Sequence, residues 1–372
     1  MSLLQLKVTH FRNLGSVELT PSPSLNFLYG VNGSGKTSLL EAISVLAHGR
    51  SFRTRKFRRL IQQEMKEFTV FGRVNTVSKA GVAMGVSRKR SGESHFRIDG
   101  AGVSSSAELA VHLPLLVLNA ESFGLLTGAP KQRRQFFDWL VFHVKQGFRD
   151  TWRNYSRCVK QRNSLLRRDK ITYSDLRPWD MEIVRLSQSI ERDRLACIEP
   201  FLTEFRYLAT EFDAGLAHKI SVEYLSGWKT ADAYEQQLLE SFPRDRKLGY
   251  TSLGPHKSDL KITVDDLPAG EILSRGQQKS MIAALHIAEA RVFTAENKQG
   301  CVFLIDDMPA ELDPANIDRV GRWINSTAGQ VFVTSVEFKP MRDLWPDLGP
   351  GAAKVFHVKQ GDITEVPWER AG

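Results

Sequence analysis

A ten-residue stretch near the N-terminus has the residue types and spacing of a phosphate-binding loop. Residues 29–38 read YGVNGSGKTS and fit the pattern G-x-x-x-x-G-K-[ST]. In such a loop the glycines allow main-chain angles that turn successive N–H groups toward one anion, and the lysine can reach the β- and γ-phosphates of a nucleotide. The hydroxyl that follows can coordinate Mg²⁺. The sequence therefore predicts an ATP site formed by Gly30, Val31, Asn32, Gly33, Ser34, Gly35, Lys36 and Thr37.

The residues on either side of this loop support the same interpretation. Residues 25–29 are mostly apolar and predict a short buried strand that runs into the loop, and residues 38–43 predict the helix that leaves it. The positive end of that helix would face the bound phosphates. The alternative is a chance match in a glycine-bearing turn, and the further motifs of the chain argue against it.

A second motif lies far along the chain, where the apolar residues 302–305 are followed by two aspartates. A buried parallel strand delivers its last residues to the ligand-binding edge of a sheet. Asp306 would then hold Mg²⁺ together with Thr37, and Asp307 would orient or deprotonate the attacking water. An ordinary acidic turn after a strand is the alternative. The catalytic residues predicted are thus Lys36 and Asp307, and the metal-site residues are Thr37 and Asp306.

The bulk composition excludes several classes of protein. The chain has 372 residues, of which 42% are hydrophobic and 25% charged, as in globular proteins with a well-buried core. No apolar run approaches the ~20 residues of a membrane span, and the N-terminus lacks the pattern of a secretory signal. The three cysteines are far apart and show no metal-ligand spacing. We therefore expect a cytoplasmic protein with no membrane association, disulfide framework or zinc site.

The positive charge of the chain is concentrated in two segments. The net charge of the chain is +9. Residues 50–59 contain six basic residues and no acidic one, and residues 131–170 contain twelve basic residues and three aspartates. A solvated helical face is the usual meaning of scattered charge, but so unbalanced a run favours a nucleic-acid partner. The predicted DNA contacts are Arg53, Arg55, Lys56, Arg133, Arg134, Lys160 and Arg162.

Hydrophobic periodicity predicts an α/β protein with a helical insertion. Alternating patterns predict a strand pair over residues 3–20 and a strand meander over residues 68–98. From residue 130 to 239 the pattern is mostly helical and charged, and the last third returns to alternating helices and buried strands. We expect a head domain made of residues 1–129 plus 245–372, with a helical arm domain of residues 130–244 inserted in it.

A third motif, residues 273–277, reads LSRGQ and resembles the signature LSGGQ of ABC-type ATPases. A serine hydroxyl and backbone N–H groups at a helix N-terminus form a second anion site. In that superfamily this site contacts the γ-phosphate held by the opposite subunit, so that ATP is buried between two heads. The resemblance assigns this trans role to Ser274, Arg275, Gly276 and Gln277, and it places the D-loop at Asp313, after the Walker B aspartates.

Within that superfamily the chain resembles the RecF family of bacterial recombination mediators. The matching stretches run from residue 6 to about residue 320 and include residues 11–14, 30–37, 51–54, 131–134, 137–139, 160–163, 254–260 and 273–279. The resemblance implies an ABC-ATPase head, with a P-loop and a mixed sheet flanked by helices, that dimerises on DNA when ATP binds and is reset by slow, DNA-dependent hydrolysis. It also implies RecR and RecO as partners, RecA loading at gaps or stalled forks with an SOS response, and Arg12 near the nucleotide phosphates.

Two positions depart from the general ABC pattern. The carboxylate after the Walker B aspartate is Asp307, where most members have glutamate, and Ser335 stands where the switch histidine is usual. Both departures predict slow turnover without preventing dimerisation. Asn119 is the candidate for the Q-loop residue. Two alternatives from other classes are a transporter's nucleotide-binding subunit, which the long basic insertion argues against, and an ATPase subunit that regulates a DNA nuclease.

Overall fold

The computed structural model describes residues 1–76, 79–229, 233–307, 314–327, 329–339, 342 and 353–368. The chain divides into two compact units, of which one comprises Met1–Ser122 with Lys279–Gly372 and the other comprises Phe123–Gln278. We call them the sheet unit and the helical unit. The predicted D-loop residue, Asp313, lies outside the described residues.

The N-terminal half of the sheet unit follows the alternating patterns of its sequence. Its elements are β1 (Ser2–Phe11), β2 (Leu14–Leu19), β3 (Leu25–Tyr29), α1 (Lys36–His48), a 3-10 helix (Phe57–Leu60), β4 (Glu67–Asn75), β5 (Val82–Lys89), β6 (Ser94–Ile98), β7 (Ala101–Val103), α2 (Ser106–His112) and β8 (Leu115–Leu118). Gly49 ends α1 in the left-handed conformation, and its N–H donates to the carbonyl oxygen of Val45 at 2.8 Å.

The helical unit contains most of the described helices and, among its described strands, one small sheet. In order it has α3 (Gly124–Thr127), α4 (Pro130–Val144), α5 (Phe148–Leu166), α6 (Tyr173–Phe212), α7 (Ala214–Ala217), β9 (Ile220–Leu225), α8 (Tyr234–Leu248), a 3-10 helix (Pro255–Lys257), β10 (Asp259–Val264), β11 (Leu267–Pro268) and α9 (Ala269–Ile272). Helix α10 (Arg275–Asn297) follows, and the division between the units falls within it. The unit extends beyond the predicted arm because β10 pairs with β9 along six residue pairs.

The remaining described elements return to the sheet unit. They are β12 (Val302–Ile305), α11 (Pro314–Thr327), β13 (Gln330–Ser335), β14 (Ala353–Lys359) and β15 (Asp362–Val366). The described strands of this unit form an antiparallel sheet in the order β2-β1-β4-β5-β6-β7 and a mostly parallel sheet in the order β15-β14-β3-β13-β12-β8. In the second sheet β3 lies between two strands from the C-terminal part of the chain.

The register of the parallel sheet brings the predicted motifs to one edge. Phe27 of β3 is level with Val333 of β13, and Val333 is level with Ile305 of β12. Because parallel strands end at the same edge, the phosphate loop after β3 and the aspartates after β12 emerge side by side. Apolar side chains of both sheets and of α1 form one continuous core beneath this edge, with Leu39, Leu40 and Ile43 fully buried.

A buried ion cluster centred on Arg162 holds the helical unit together. Arg162 of α5 is 0% exposed, and its Nε donates to Asp180 of α6 at 2.6 Å. Its Nη1 donates to Asp245 of α8 at 2.7 Å and to Thr251 at 3.0 Å. A side chain enclosed in this way cannot reach a DNA phosphate. The structure therefore corrects the prediction for Arg162, whose charge serves the packing of three helices.

No helix of the described residues combines the length and the apolar character that crossing a membrane requires. The described cysteines, Cys158, Cys197 and Cys301, are all free thiols in buried positions.

Two largely buried histidines make the stability of the fold depend on pH. Burial lowers the pKa of His256 and that of His286 to about 4, whereas an unfolded chain would titrate near 6.5. Between these pH values the unfolded chain binds protons that the folded chain does not, so stability is lost as the pH falls through this window. We expect each histidine to remove about 2 kcal/mol of unfolding free energy by pH 5.

The measurement is urea unfolding at pH 7.5 and at pH 5.0 for wild type and His256→Asn. His95→Asn is the matched control, because His95 lies exposed beside Glu93. The His256→Asn protein should lose less stability on acidification than wild type and the control. Equal losses in all three proteins would show that burial of His256 is not a source of the acid sensitivity.

Candidate nucleotide-binding site

The loop between β3 and α1 has a backbone that its glycines alone can adopt. Gly30, Gly33 and Gly35 have φ angles of 153°, 81° and 123°, in the region that side chains disfavour. A Cβ added to Gly30 would lie 2.2 Å from the carbonyl oxygen of Val358 in β14. The tight contact therefore explains why a glycine stands at the first position of the motif.

Lys36 lies at the first turn of α1 and reaches back over the loop. Its Nζ donates to the carbonyl oxygens of Gly30 at 2.5 Å and Val31 at 3.1 Å, and the residue is buried. Burial lowers the pKa of Lys36, and the nearby Asp307 and Asp306 oppose that shift. The two hydrogen bonds hold the ammonium group against the first residues of the loop.

The structure brings the two predicted metal-site residues into contact. The Thr37 hydroxyl donates to Oδ1 of Asp306 at 2.9 Å, although the residues are 269 positions apart. Thr334 of β13 donates to the same oxygen at 2.9 Å. Thr334 was not predicted, because its only signal in the sequence is a hydroxyl near the end of a buried strand. A carboxylate and a hydroxyl at this distance form the oxygen donor set that Mg²⁺ prefers.

Asp307 occupies a backbone conformation that is unusual for a residue with a side chain. Its φ angle is 56°, and its N–H donates to the Thr334 hydroxyl at 2.7 Å. Burial raises the pKa of Asp307, and the charge of Asp306 raises it further, whereas Lys36 and Lys279 lower it. Such a strained, partly buried carboxylate at a ligand-binding edge is typical of a functional position.

Arg12 lies beside α1 and is held by a buried carboxylate that the sequence analysis missed. Its guanidinium donates two hydrogen bonds to Glu41, at 2.9 and 2.8 Å, and Glu41 is 0% exposed. The Ser51 hydroxyl also donates to Glu41, and Arg53 lies 4.0 Å from it. A single acid within the apolar run of α1 was the available signal. The predicted contact of Arg12 with nucleotide phosphates stays a prediction.

Two other predicted positions have structural partners of their own. Asn119 follows β8, and its Oδ1 accepts the N–H of Glu121 at 3.0 Å, which stabilises the next turn. Ser335 ends β13 opposite Tyr29 and is buried. Neither observation tests the assignment of Asn119 as the Q-loop residue or of Ser335 as the replacement for a switch histidine.

The signature motif forms the exposed N-terminus of α10 in the helical unit. Ser274 and Gln277 cap the helix reciprocally, because the Gln277 N–H donates to the Ser274 hydroxyl at 3.3 Å and the Ser274 N–H donates to Oε1 of Gln277 at 3.1 Å. Arg275 stacks over the ring of Phe123 at 5.4 Å. Ser274, Arg275 and Gly276 are exposed, as a site that acts on a second molecule requires.

The basic residues predicted to contact DNA fall into two groups. Arg53, Arg55, Lys56 and Lys160 are exposed. Arg133 is bound by both oxygens of Asp259, at 2.8 and 2.9 Å, and Arg134 donates to the carbonyl oxygen of Ser258 at 2.6 Å. The guanidinium of Arg133 is therefore occupied by the packing of α4 on β10, and DNA contact remains a prediction for the four exposed residues and Arg134.

The loop and its surroundings fit a nucleoside triphosphate with Mg²⁺. Two glycines line a cradle that a Cβ would fill, since a Cβ on Gly30 would strike Val358 and one on Gly35 would lie 3.1 Å from the Asn13 side chain. The Ser34 hydroxyl is buried in this cradle and has no hydrogen-bond partner among the described residues. In the described part of the chain, no cluster of three or more His, Cys, Asp or Glu residues forms a metal site by itself.

The chain is similar to known proteins along nearly its whole length. The sequence profile of the RecF/RecN/SMC N-terminal domain matches residues 2–360, so the chain is a P-loop protein of the class that includes SMC heads. Relatives named DNA replication and repair protein RecF are 53% identical in Saccharophagus degradans and 48% identical in Teredinibacter turnerae. These matches cover 97% of this chain and 98% and 96% of the relatives. The chain belongs to the RecF family.

Solved structures confirm the predicted fold class. The recombination mediator protein RecF-ATP of the RecFOR pathway superposes with a TM-score of 0.85 at 23% identity, covering 98% of this chain and 97% of the other. An Smc head bound to the C-terminal winged-helix domain of ScpA gives a TM-score of 0.59 at 17% identity, covering 100% and 99%. The α/β head with an inserted helical arm is therefore shared with both groups.

Proposed function

We propose that this chain is an ATP-dependent DNA-binding protein that closes into a head-to-head homodimer on DNA. The observation that carries the proposal is the 2.9 Å hydrogen bond between Thr37 and Asp306, which joins the phosphate loop to the Walker B strand. Membership of the RecF family supports a role in DNA replication, recombination and repair. The RecF-ATP structure of similar fold supports ATP as the nucleotide.

Each residue of the site has a proposed task. The residues from Gly30 to Lys36 would bind the phosphates through backbone N–H groups and the lysine, and Thr37 with Asp306 would hold Mg²⁺. The γ-phosphate of bound ATP is the group that the signature motif of a second head would contact. Asp307 would orient a water molecule, but its side chain is one methylene shorter than glutamate. We therefore propose that the protein is a slow ATPase that uses hydrolysis as a switch.

The partners follow from the exposed positive charge and the family. Arg53, Arg55, Lys56 and Lys160 would contact DNA phosphates, and their exposure supports this assignment. We propose that the protein works in the cytoplasm at gaps or stalled forks, binds RecR, and with RecO promotes RecA loading and SOS induction. The RecFOR pathway in the description of the RecF-ATP structure supports this choice of partners.

The proposal is tested by sedimentation of the protein with Mg²⁺ alone, with ATP, and with ATP plus a gapped duplex. Wild type is expected to become a dimer with ATP. Ser274→Arg should remain a monomer with unchanged nucleotide affinity, because the added side chain blocks a site that acts only on the second head. Ser221→Arg is the matched control, since Ser221 is exposed on β9.

The outcomes of this experiment are distinct. Dimerisation of wild type and Ser221→Arg, but not of Ser274→Arg, supports the head-to-head arrangement. If all three proteins dimerise equally, the signature motif lies outside the interface. If wild type stays monomeric with ATP and DNA, the proposed clamp mechanism is wrong.

The DNA contacts are tested by the salt dependence of binding. Replacing both Arg55 and Lys56 with alanine should reduce the slope of log K against log salt concentration by about 1.8, at about 0.9 for each phosphate contact. Lys7→Ala with Lys79→Ala is the charge-matched control, since these exposed lysines pair with Glu18 and Asp99. Fluorescence anisotropy on duplex DNA with ATP measures the slopes. Equal slopes for both double variants would place the DNA elsewhere.

A further inference from the structure

Asn13 lies in the turn between β1 and β2, and its side chain is hydrogen-bonded to the middle of the phosphate loop and to the first turn of the helix that follows it. Its Nδ2 donates to the carbonyl oxygen of Gly33 at 3.3 Å. Its Oδ1 accepts the hydroxyl of Ser38, in the first turn of α1, at 2.8 Å. A Cβ added to Gly35 would lie 3.1 Å from Nδ2 of Asn13. One amide side chain therefore spans the loop from its middle to the start of the helix.

The turn between β14 and β15 supports the same region from the C-terminal part of the chain. The N–H of Gly361 donates to the carbonyl oxygen of Ser34 at 2.8 Å. The φ angle of Gly361 is 90°, and an added Cβ would lie 2.2 Å from the carbonyl oxygen of Asn13. The peptide of Gly361 thus lies against both the loop and the residue that spans it, and only glycine fits there.

We propose that Asn13 and Gly361 are positioning residues that hold the phosphate loop in its nucleotide-accepting shape before a nucleotide arrives. This inference rests on the proposed nucleotide-binding function and adds two residues that lie outside the G-x-x-x-x-G-K-[ST] motif. The C=O and N–H of a trans peptide point in opposite directions. Because Gly361 holds the carbonyl of Ser34 on one side, the N–H of Gly35 is directed to the other side.

The energetic reason is preorganisation. A glycine-rich loop loses much backbone entropy when it is fixed around a ligand, and an external support removes that cost from the binding step. Three hydrogen bonds supply such a support: Asn13 donates to the carbonyl oxygen of Gly33 and accepts the hydroxyl of Ser38, and Gly361 donates to the carbonyl oxygen of Ser34. The loop should therefore be ordered in the absence of nucleotide. Removing one of these hydrogen bonds should reduce the free energy of nucleotide binding more than it reduces the free energy of unfolding.

The experiment measures the dissociation constant of ADP–Mg²⁺ by isothermal titration calorimetry, together with the melting temperature of the nucleotide-free protein. We expect Asn13→Ala to raise the dissociation constant about 5- to 30-fold, since it removes two hydrogen bonds. Gly361→Ala should raise it at least as much because of the clash with Asn13. Ser38→Ala should raise it less, and adding it to Asn13→Ala should have little further effect, because the two side chains share one hydrogen bond.

Gly100→Ala is the matched control. Gly100 has a φ angle of 82°, so alanine there meets the same backbone strain as at position 361, but an added Cβ has no heavy atom of the described residues within 4 Å. This variant should bind ADP as wild type does, whatever its melting temperature. If Gly100→Ala weakens ADP binding as much as Gly361→Ala, the effect is one of general glycine strain and the proposal is overturned.

The failure of this inference is distinguishable from failure of the proposed function. If Asn13→Ala and Gly361→Ala bind ADP as tightly as wild type while Lys36→Met does not, the loop needs no external support and the nucleotide site stands. If Lys36→Met also binds as wild type does, the nucleotide is held elsewhere and both proposals are wrong. Amide hydrogen exchange of the peptide containing residues 30–36 gives a second readout, since only loss of the support should speed its exchange in the nucleotide-free protein.

Discussion

Replacing Arg162 with leucine is expected to lower the free energy of unfolding by about 3–5 kcal/mol, because it leaves the carboxylates of Asp180 and Asp245 buried without their shared cation. Both carboxylates are at most 1% exposed. Burial already raises the pKa of Asp180 in spite of the opposing charge of Arg162. With the arginine gone, folding would require at least one of these groups to be protonated, so the loss should be largest at neutral pH.

The measurement is chemical unfolding followed by tryptophan fluorescence at pH 7.5. Lys160→Met is the matched control, since Lys160 lies exposed two residues away on α5 and should change stability by no more than about 0.5 kcal/mol. Adding Asp180→Asn and Asp245→Asn to Arg162→Leu should recover part of the loss. A cost for Arg162→Leu no larger than that of Lys160→Met would contradict the structural role assigned to the cluster.

Replacing Lys36 with methionine is expected to weaken ATP binding about 10- to 100-fold and to abolish ATP-dependent dimerisation. The ammonium group is held at the mouth of the loop by two carbonyl oxygens, at 2.5 and 3.1 Å. Hydrogen bonds to charged groups contribute about 1.5–3 kcal/mol each, and methionine keeps the length of the side chain without the charge. A fluorescent ATP analogue measures affinity, and sedimentation with ATP measures dimerisation.

Lys79→Met serves as the control for this variant, because Lys79 is exposed and paired with Asp99. It should bind ATP and dimerise as wild type does. A Lys36→Met protein that still dimerised normally with ATP would refute the role of the loop in closing the heads, even if the signature variant behaved as expected.

The elements that carry the nucleotide site could be predicted from the sequence because their patterns are local. The strand before the phosphate loop, the helix after it and the glycine that ends the helix depend on residues within a few positions of one another. The apolar run before Asp306 is likewise a property of one short strand. The contact between Thr37 and Asp306 could be expected only because parallel strands end at a common edge.

The charged residues were harder to interpret because a sequence does not show which charges meet. Arg162 and Arg133 stand in a basic stretch that indicates nucleic acid, yet their partners Asp245 and Asp259 are 83 and 126 positions away. Glu41 of α1 was missed for the same reason, since its partner Arg12 lies in the turn between β1 and β2, 29 positions earlier. The bounds of helix α6 are equally hard to read from the sequence, because its 40 residues include Pro178 and Pro200, and proline usually marks a helix end or a kink.

The order of strands in the parallel sheet has a consequence for synthesis on the ribosome. Strand β3 and the phosphate loop leave the ribosome early, but both neighbours of β3 in the sheet come from after residue 329. At ~5–20 residues per second, translation of the intervening helical unit, residues 123–278, alone takes about 8–30 s. During that time the apolar strand β3 lacks both of its neighbours in the sheet. The helical unit, in contrast, is continuous in sequence and can fold as soon as it emerges. Nascent chains of this protein should therefore depend on chaperones most while the central third of the polypeptide is being made.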